Sequence, residues 1–351
     1  MTSIFNERSM RSQARRSQER IRLDLLANPF GPTERVIDAI VNADHDHGQN
    51  RWIEPAAKLE SQLKAALGAR AGVPASWVVL ANGIDELHAM IALWRSDFGP
   101  LLVFPPTDPG LVTWIRRHAS QVEEIPRGPH FSIPVTANGQ TLPRGATSVV
   151  MSPNDPTGTA ITVHEAVRLS RQSAFTVIDE RHAAYSSRSI LPLAREFDNL
   201  IVLQTFETWA GLPAHPLAWA IAPPQIIREL ERFTRPTGIA RMPVVAGLAS
   251  LEESAALQAS VHRVMVEKGR LFRQIRKLSM ISPPYASWAN FLLCRIERGT
   301  NEFFVPRLAE RGIDVFPVTN PELPNHLRVS AVSADATNAI KQAMIDIALD
   351  L

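Results

Sequence analysis

An α/β fold is the class this sequence predicts, with one large unit on a mainly parallel sheet and a smaller α+β unit behind it. Three observations lead there. Short, unbroken apolar runs bounded by Gly, Pro and polar turns recur along the first two thirds of the chain; such runs suit strands covered on both faces. They alternate with stretches of helical period, the order expected of a parallel sheet with crossover helices. After Pro223 the texture changes to long helical stretches with a few short strands.

Taken in order, Trp77–Ala81 reads as a strand and Asp85–Leu93 as a helix. Leu101–Phe104 is a strand and Leu111–His118 a helix; Ser148–Met151 is a strand and His164–Arg171 a helix. Phe175–Ile178, Leu200–Leu203 and Leu217–Ile221 complete the strands of the first unit. Beyond them Ile226–Phe233 is helical, and Ala255–Leu278 combines helical period with strong helix formers. Ala289–Cys294, Asp314–Val318 and His326–Val329 are short strands, and a last helix runs to Leu351 with Asp335 as its expected N-cap. This divides the chain into an arm (1–23), a first piece of the small domain (24–45), a large domain (46–240), and an interdomain helix with the rest of the small domain (241–351).

Composition narrows the function classes. The chain has 351 residues, 45% apolar and 21% charged, enough for a sizeable core in about two domains. No apolar run approaches the roughly 18 residues of a membrane span, so no membrane partner is expected. A net charge of +2 argues against whole-molecule attraction to nucleic acid. The arm carries Arg8, Arg11, Arg15, Arg16, Arg20 and Arg22 without a following apolar segment, so it is not read as a secretory signal. It could imitate a transit peptide; an arm packing on a partner subunit, or disorder, fits better. The lone Cys294 sits in an apolar run and reads as a core thiol, which fits a reducing, cytoplasmic setting. Only five lysines stand against thirty-two arginines, and none lies between Lys64 and Lys268.

In open α/β sheets, ligands gather at the carboxyl ends of strands. Four such loops carry chemistry here. Asn82-Gly83-Ile84-Asp85-Glu86 opens a helix whose backbone N–H groups suit an anion; a capped helix with no ligand is the plain alternative. Ser152-Pro153-Asn154-Asp155-Pro156-Thr157-Gly158 is a fixed turn. Val177-Ile178-Asp179-Glu180 puts acids at a strand end, with His182 next; a solvated pair of acids is the plain account. The fourth runs from Gln204 through Glu207, Thr208 and Trp209 to Pro213.

In this order the loops resemble fold-type-I pyridoxal-phosphate enzymes, nearest to aminotransferase class I/II and its histidinol-phosphate aminotransferase and threonine-phosphate decarboxylase relatives. The resemblance spans residues 24–345. Ala27-Asn28-Pro29-Phe30-Gly31-Pro32 resembles that group's N-E-N-P-x-G-P opening, and SPNDPTG its S-P-N-N-P-T-G. VIDE resembles V-[IV]-D-E, and the stretch from Thr205 to Ala222 aligns without gaps to T-F-S-K-A-F-G-L-A-G-L-R-L-G-Y-A-I-A. Leu327-Arg328-Val329-Ser330 resembles L-R-[IV]-[ST].

The resemblance implies an aminotransferase-like large domain, a homodimer, and a cleft for a small carboxylate or amino-acid-like substrate. It also implies site roles. Gly83, Ile84, Asp155 and Asp179 would line the cofactor pocket, with Asp179 facing the pyridinium nitrogen. Asn28, Asp155 and Arg328 would hold the substrate, Arg328 by forking onto its carboxylate. Departures from the pattern are equally specific. The family lysine that forms the internal aldimine is Thr208 here; the phosphate-binding serine before it is Glu207; the phosphate-clamping arginine is Pro216; the last Asn of S-P-N-N-P-T-G is Asp155; the tyrosine after D-E is His182. The ring-stacking aromatic expected within 106–111 is not present.

A carboxylate about 5 Å from a phosphate costs roughly 3 kcal/mol per charge pair at an effective dielectric near 20. A threonine hydroxyl forms no imine and is no base at neutral pH. The expectation is therefore a family homologue without the Schiff-base lysine, unable to transaminate, with no covalently bound cofactor and pyridoxal phosphate disfavoured. Asp179, His182, Glu207 and Thr208 are its candidate catalytic groups. With Asp155 they form a cluster suited to acid–base work or a divalent ion, although no dense metal-ligand spacing is present and no metal site is expected. Two other readings stay open. One is a pyridoxal-phosphate enzyme with non-standard cofactor binding; the other is a non-catalytic subunit paired with an active paralogue, its surface shaped by Trp209, His215 and Trp219.

Overall fold

A computed structural model describes residues 20–45 and 57–351, apart from 135, 138 and 139. Of the arginine-rich arm, residues 1–19 lie outside the described residues. Arg20 and Arg22, just beyond them, form surface ion pairs with Asp314 and Asp24.

The central sheet has seven strands: β1 (Val78–Ala81), β2 (Leu101–Val103), β3 (Val122–Glu124), β4 (Thr147–Met151), β5 (Phe175–Asp179), β6 (Leu200–Thr205) and β7 (Ala218–Ile221). Their order is β1-β7-β6-β5-β4-β2-β3. All neighbours are parallel except β7, which runs antiparallel to both β1 and β6. The carboxyl ends of β1, β2, β4, β5 and β6 therefore open on one edge of the sheet, and all four conspicuous loops meet there.

Both faces of the sheet are covered, and side-chain alternation along each strand decides which cluster a residue joins. Val177, Ile201 and Leu203 pack with Ile84, Leu87 and Met90 of α3 (Ile84–Arg95) on one face. Ile178, Val202 and Leu80 join the larger cluster on the other. That cluster reaches α7 (Arg241–Glu252) and α8 (Ser254–Ile275). The same alternation sends Asp179 to the α3 face and Glu180 to the opposite one.

Local sequence accounts for the helix starts that frame the site. Asp108 caps α4 (Pro109–His118) by accepting from the Gly110 N–H, with Pro109 in the first turn. Thr162 and Glu165 form a reciprocal capping box on α5 (Val163–Gln172). Ser333, rather than the expected Asp335, caps α10 (Ala334–Ala348), and Asp335 sits in its first turn. Four helices have no counterpart among the sequence expectations: α1 (Glu34–His45), α2 (Ala57–Ala71), α7, and α9 (Asn301–Glu310). α6 (Pro224–Glu231) is present as expected.

The C-terminal part builds a three-stranded antiparallel sheet from β8 (Phe291–Arg295), β9 (Phe316–Pro317) and β10 (His326–Ser330), in the order β8-β10-β9. Residues paired across antiparallel strands share a face, so Phe291, Arg328 and Ser330 stand on the same side. Cys294 is fully buried in this part, and burial pushes its thiol up to about 12. Among the described residues no helix is long and apolar enough to cross a membrane.

Candidate functional site

The strand-end loops bring Gly83, Asp155, Asp179, His182, Glu207 and Thr208 to one edge, where the three-stranded sheet presents Arg328. Asp179 and Glu180 are not a solvated pair: both are buried. Asp179 has no exposed surface, and Arg181 two residues on folds back onto it. Arg181 donates from its backbone N–H at 3.0 Å, its Nε at 2.9 Å and its Nη2 at 2.7 Å. His88 of α3 lies 3.4 Å from the same carboxylate. Burial would push the Asp179 carboxyl up, but Arg181 and His88 outweigh it and hold the group below the usual range.

His182 is buried beneath the same loop, edge-on to Phe291 at 5.8 Å between ring centres. Neither ring nitrogen has a hydrogen-bond partner among the described residues. Burial, reinforced by Arg181, pulls its imidazole down to about 3, so the ring is neutral at physiological pH. His88 is likewise pulled down to about 4 by burial.

Glu207 and Gly83 meet where an anion was expected. Gly83 holds φ +94° at the start of α3, and a Cβ there would lie 3.2 Å from Pro216 and 3.3 Å from the Glu207 carboxylate. Glu207 also accepts from Thr205 Oγ1 at 3.0 Å. Burial pushes its carboxyl up, and the Ile84 backbone N–H at the helix start works against that shift. The helix N-terminus thus faces a carboxylate of the chain itself. Thr208, at the position resembling the family lysine, donates its hydroxyl to the Arg181 carbonyl.

Asp155 and Arg328 form a buried ion pair through Oδ2 and Nη1. The guanidinium lies over the Phe316 ring at 4.1 Å and donates from Nη2 to the Asp24 carbonyl at 2.6 Å. Its Nε has no partner among the described residues, and neither does Ser330 Oγ on the same face of β10. Asn28 is committed differently. Its amide donates to the Trp209 carbonyl at 2.9 Å and to Ser260 at 2.7 Å, and accepts from the Phe30 N–H at 3.1 Å, so it anchors its loop.

The SPNDPTG turn is fixed from within. Asn154 accepts from Thr107 at 2.7 Å and Arg127 at 2.8 Å, and donates to the Pro106 carbonyl at 3.0 Å. Gly158 adopts φ +71°, and a Cβ there would strike Ser287. Trp209 and Trp219 are buried around Phe206, with ring centres 5.7 and 4.7 Å from it, so both are packing residues. Behind the sheet edge, on the Glu180 side, lies a cavity of about 520 Å³ lined by Tyr185, Gln204, Trp209, Trp219 and Met265 among others. Among the described residues no group of three or more His, Cys, Asp or Glu side chains is placed to hold a metal ion.

Residues 20–344 match the family model for aminotransferase class I and II. The chain belongs to that family. It is 28% identical over 334 residues to histidinol-phosphate aminotransferase of Roseiflexus castenholzii, covering 93% of this chain and 90% of that protein. Its fold matches the solved histidinol-phosphate aminotransferase of Sinorhizobium meliloti in complex with pyridoxal 5'-phosphate. There the TM-score is 0.83 at 19% identity, over 100% of this chain and 98% of that one. It also matches L-threonine-O-3-phosphate decarboxylase of Porphyromonas gingivalis, with TM-score 0.81 at 15% identity over 94% and 100% of the two chains.

These relatives correct one expectation. A family of aminotransferases, one of them solved with pyridoxal 5'-phosphate, favours that cofactor over none. The expectation that pyridoxal phosphate is disfavoured came from the charge at Glu207 and the absent amine at 208. In this structure Arg181 pairs with the Asp179 carboxylate, and Pro216 and the Glu207 carboxylate lie beside Gly83.

Two contributors were not among the sequence candidates: Arg181 and His88. Arg181 directly follows the D-E pair, and His88 lies one turn beyond Ile84 on the buried face of α3. Those spacings are the signals that point to them.

Proposed function

We propose that this family member uses the buried group of Asp155, His182 and Arg328 to bind a small carboxylate or amino-acid-like ligand, and that it does not transaminate through residue 208. The observation that carries the binding reading is the buried Arg328 guanidinium, whose Nε is unpartnered among the described residues and whose charge helps keep the His182 ring neutral. A guanidinium held in place by aromatic rings and a carbonyl is preorganised for a planar anion. The threonine at 208, with its hydroxyl spent on a backbone carbonyl, supports the second half of the reading. It supplies neither an imine nor a base at neutral pH.

Pyridoxal phosphate is the cofactor class the relatives point to. Residue 208 carries a hydroxyl rather than an amine. Asp179, His182, Glu207 and Thr208 remain the proposed functional groups, in a proposed homodimer.

The test mixes purified chain, pyridoxal phosphate and an amino-acid panel, then adds borohydride and maps the peptides. We expect no keto-acid product above the protein-free rate and no pyridoxyl mass on the peptide that holds residue 208. Turnover together with a single, stoichiometric adduct would overturn the reading.

A further inference from the structure

The Asp155–Arg328 pair joins two separate sheets. Asp155 follows β4 of the seven-stranded sheet, and Arg328 lies in the middle of β10. Hydrogen bonds nearby that make a similar crossing run from Trp288 N–H to the Gly158 carbonyl at 2.7 Å, from the Asn320 amide to the Thr107 carbonyl at 2.8 Å, and from Asn28 to the Thr208 and Trp209 carbonyls at 2.7 and 2.9 Å. None of these is charged. The pair is buried, yet the groups around it are incompletely satisfied: Arg328 Nε, Ser330 Oγ and both His182 nitrogens have no partner among the described residues. Buried polar atoms in native folds nearly always find partners, so a cluster of exceptions calls for an explanation, and a ligand that completes the network is one.

We propose that Asp155 is an internal stand-in for the ligand's carboxylate: it holds Arg328 and ties the two sheets together until an external carboxylate takes its place. This rests on the carboxylate reading given above and adds a competitor and a latch to it. A guanidinium fork accommodates one carboxylate well, so ligand and Asp155 exclude each other. Once displaced, Asp155 faces the incoming anion without its partner. The other charged groups around it are Asp108 ahead of α4, which disfavours its charge, and Arg181 after β5, which favours it. His182, which adjoins Arg328, is neutral.

Binding therefore takes up a proton from solvent at Asp155. In the paired state burial already lifts this carboxyl to about 6, against the pull of Arg328. Displacement lifts it further. The sign follows: below the paired-state value the group is already protonated and affinity is flat; above it, affinity falls with rising pH until the displaced-state value is passed.

The experiment is calorimetric titration of the full chain with succinate, with succinamide as the uncharged control. Wild type, Asp155→Asn and Asp155→Ser are compared, the second variant serving if the first misfolds. Arg328→Met is made in the Asp155→Asn background, which leaves no buried charge unpaired. We expect Asp155→Asn to bind succinate about tenfold tighter or more at about pH 8. Wild-type affinity should rise by up to about tenfold per pH unit as pH falls from about 8 toward 6, with uptake of close to one proton, while Asp155→Asn stays flat. Equal affinity and equal pH slope in wild type and Asp155→Asn, with binding abolished by the Arg328 change, would overturn the latch and leave the carboxylate reading standing. No succinate binding by any folded variant would overturn both.

Discussion

Arg181 closes back on Asp179, two residues earlier, and gives its carboxylate a backbone N–H and two guanidinium N–H groups within 3.0 Å. A buried strand-end acid is thereby neutralised by its own loop. The same pattern recurs twice in the cleft, with Glu207 at the start of α3 and Asp155 on Arg328. Each charged anchor of the site is met by a side chain of opposite sense, or by a helix start suited to its charge.

Arg181→Met leaves Asp179 charged and buried with only neutral His88 beside it. Removing one partner of a buried pair costs about 3–5 kcal/mol. Because the folded Asp179 carboxyl lies below its ordinary value, its contribution is present above about pH 4 and is lost as pH falls through the folded value. Urea unfolding should show the variant much weaker than wild type at neutral pH, with the gap narrowing in acid.

His182→Phe tests the unpartnered imidazole. At neutral pH the loss should be under about 1 kcal/mol, since an apolar ring of similar shape replaces a buried group with no bonds to lose. His88 and His182 both have folded values below their unfolded ones, so wild-type stability is full above about 6.5 and falls toward about 4 and about 3 respectively. The variant should lose about 1.4 kcal/mol less per pH unit across that window, as read by denaturant unfolding at several pH values.

Glu207→Ser removes a carboxylate from the start of α3 and opens the space beside Gly83. The backbone N–H groups there should then accept inorganic phosphate, about tenfold tighter or more than in wild type, as measured by phosphate titration. Unchanged phosphate affinity would mean that Glu207 does not block the helix start.

Thr208→Lys restores an amine but leaves Arg181 on Asp179 and Glu207 with Pro216 beside Gly83. No transamination above background is expected from this single change in a coupled keto-acid assay. Measurable turnover would contradict the view that these neighbours also matter.

Much of the sheet was legible because its strands are short, largely apolar runs between polar turns, and Phe175–Asp179 and Leu200–Thr205 are also rich in β-branched residues. Arg241–Glu252 was not, because its small residues are packed on several sides: a Cβ at Gly247 would run into Leu217 and Phe206 and touch Leu63, so no polar stripe marks the helix. Within the site, the strand-end acids and Arg328 were legible from their motifs. Who neutralises them was not. Arg181 reaches Asp179 only because the chain turns back after β5, and Asp155 reaches Arg328 only because two sheets pack together, facts that spacing along the chain does not encode. Asn28 was misleading for a similar reason: its motif suggests a ligand, while its amide is spent on Trp209 and Ser260 across the fold.

The most direct test of the self-occupied cleft is an absorbance titration with pyridoxal phosphate of wild type against the Arg181→Ala, Glu207→Ser double variant. If the chain's own charges hold the anchors, the double variant binds about a hundredfold tighter or more, each displaced group contributing about tenfold. Wild type binding as tightly as the double variant would contradict the account.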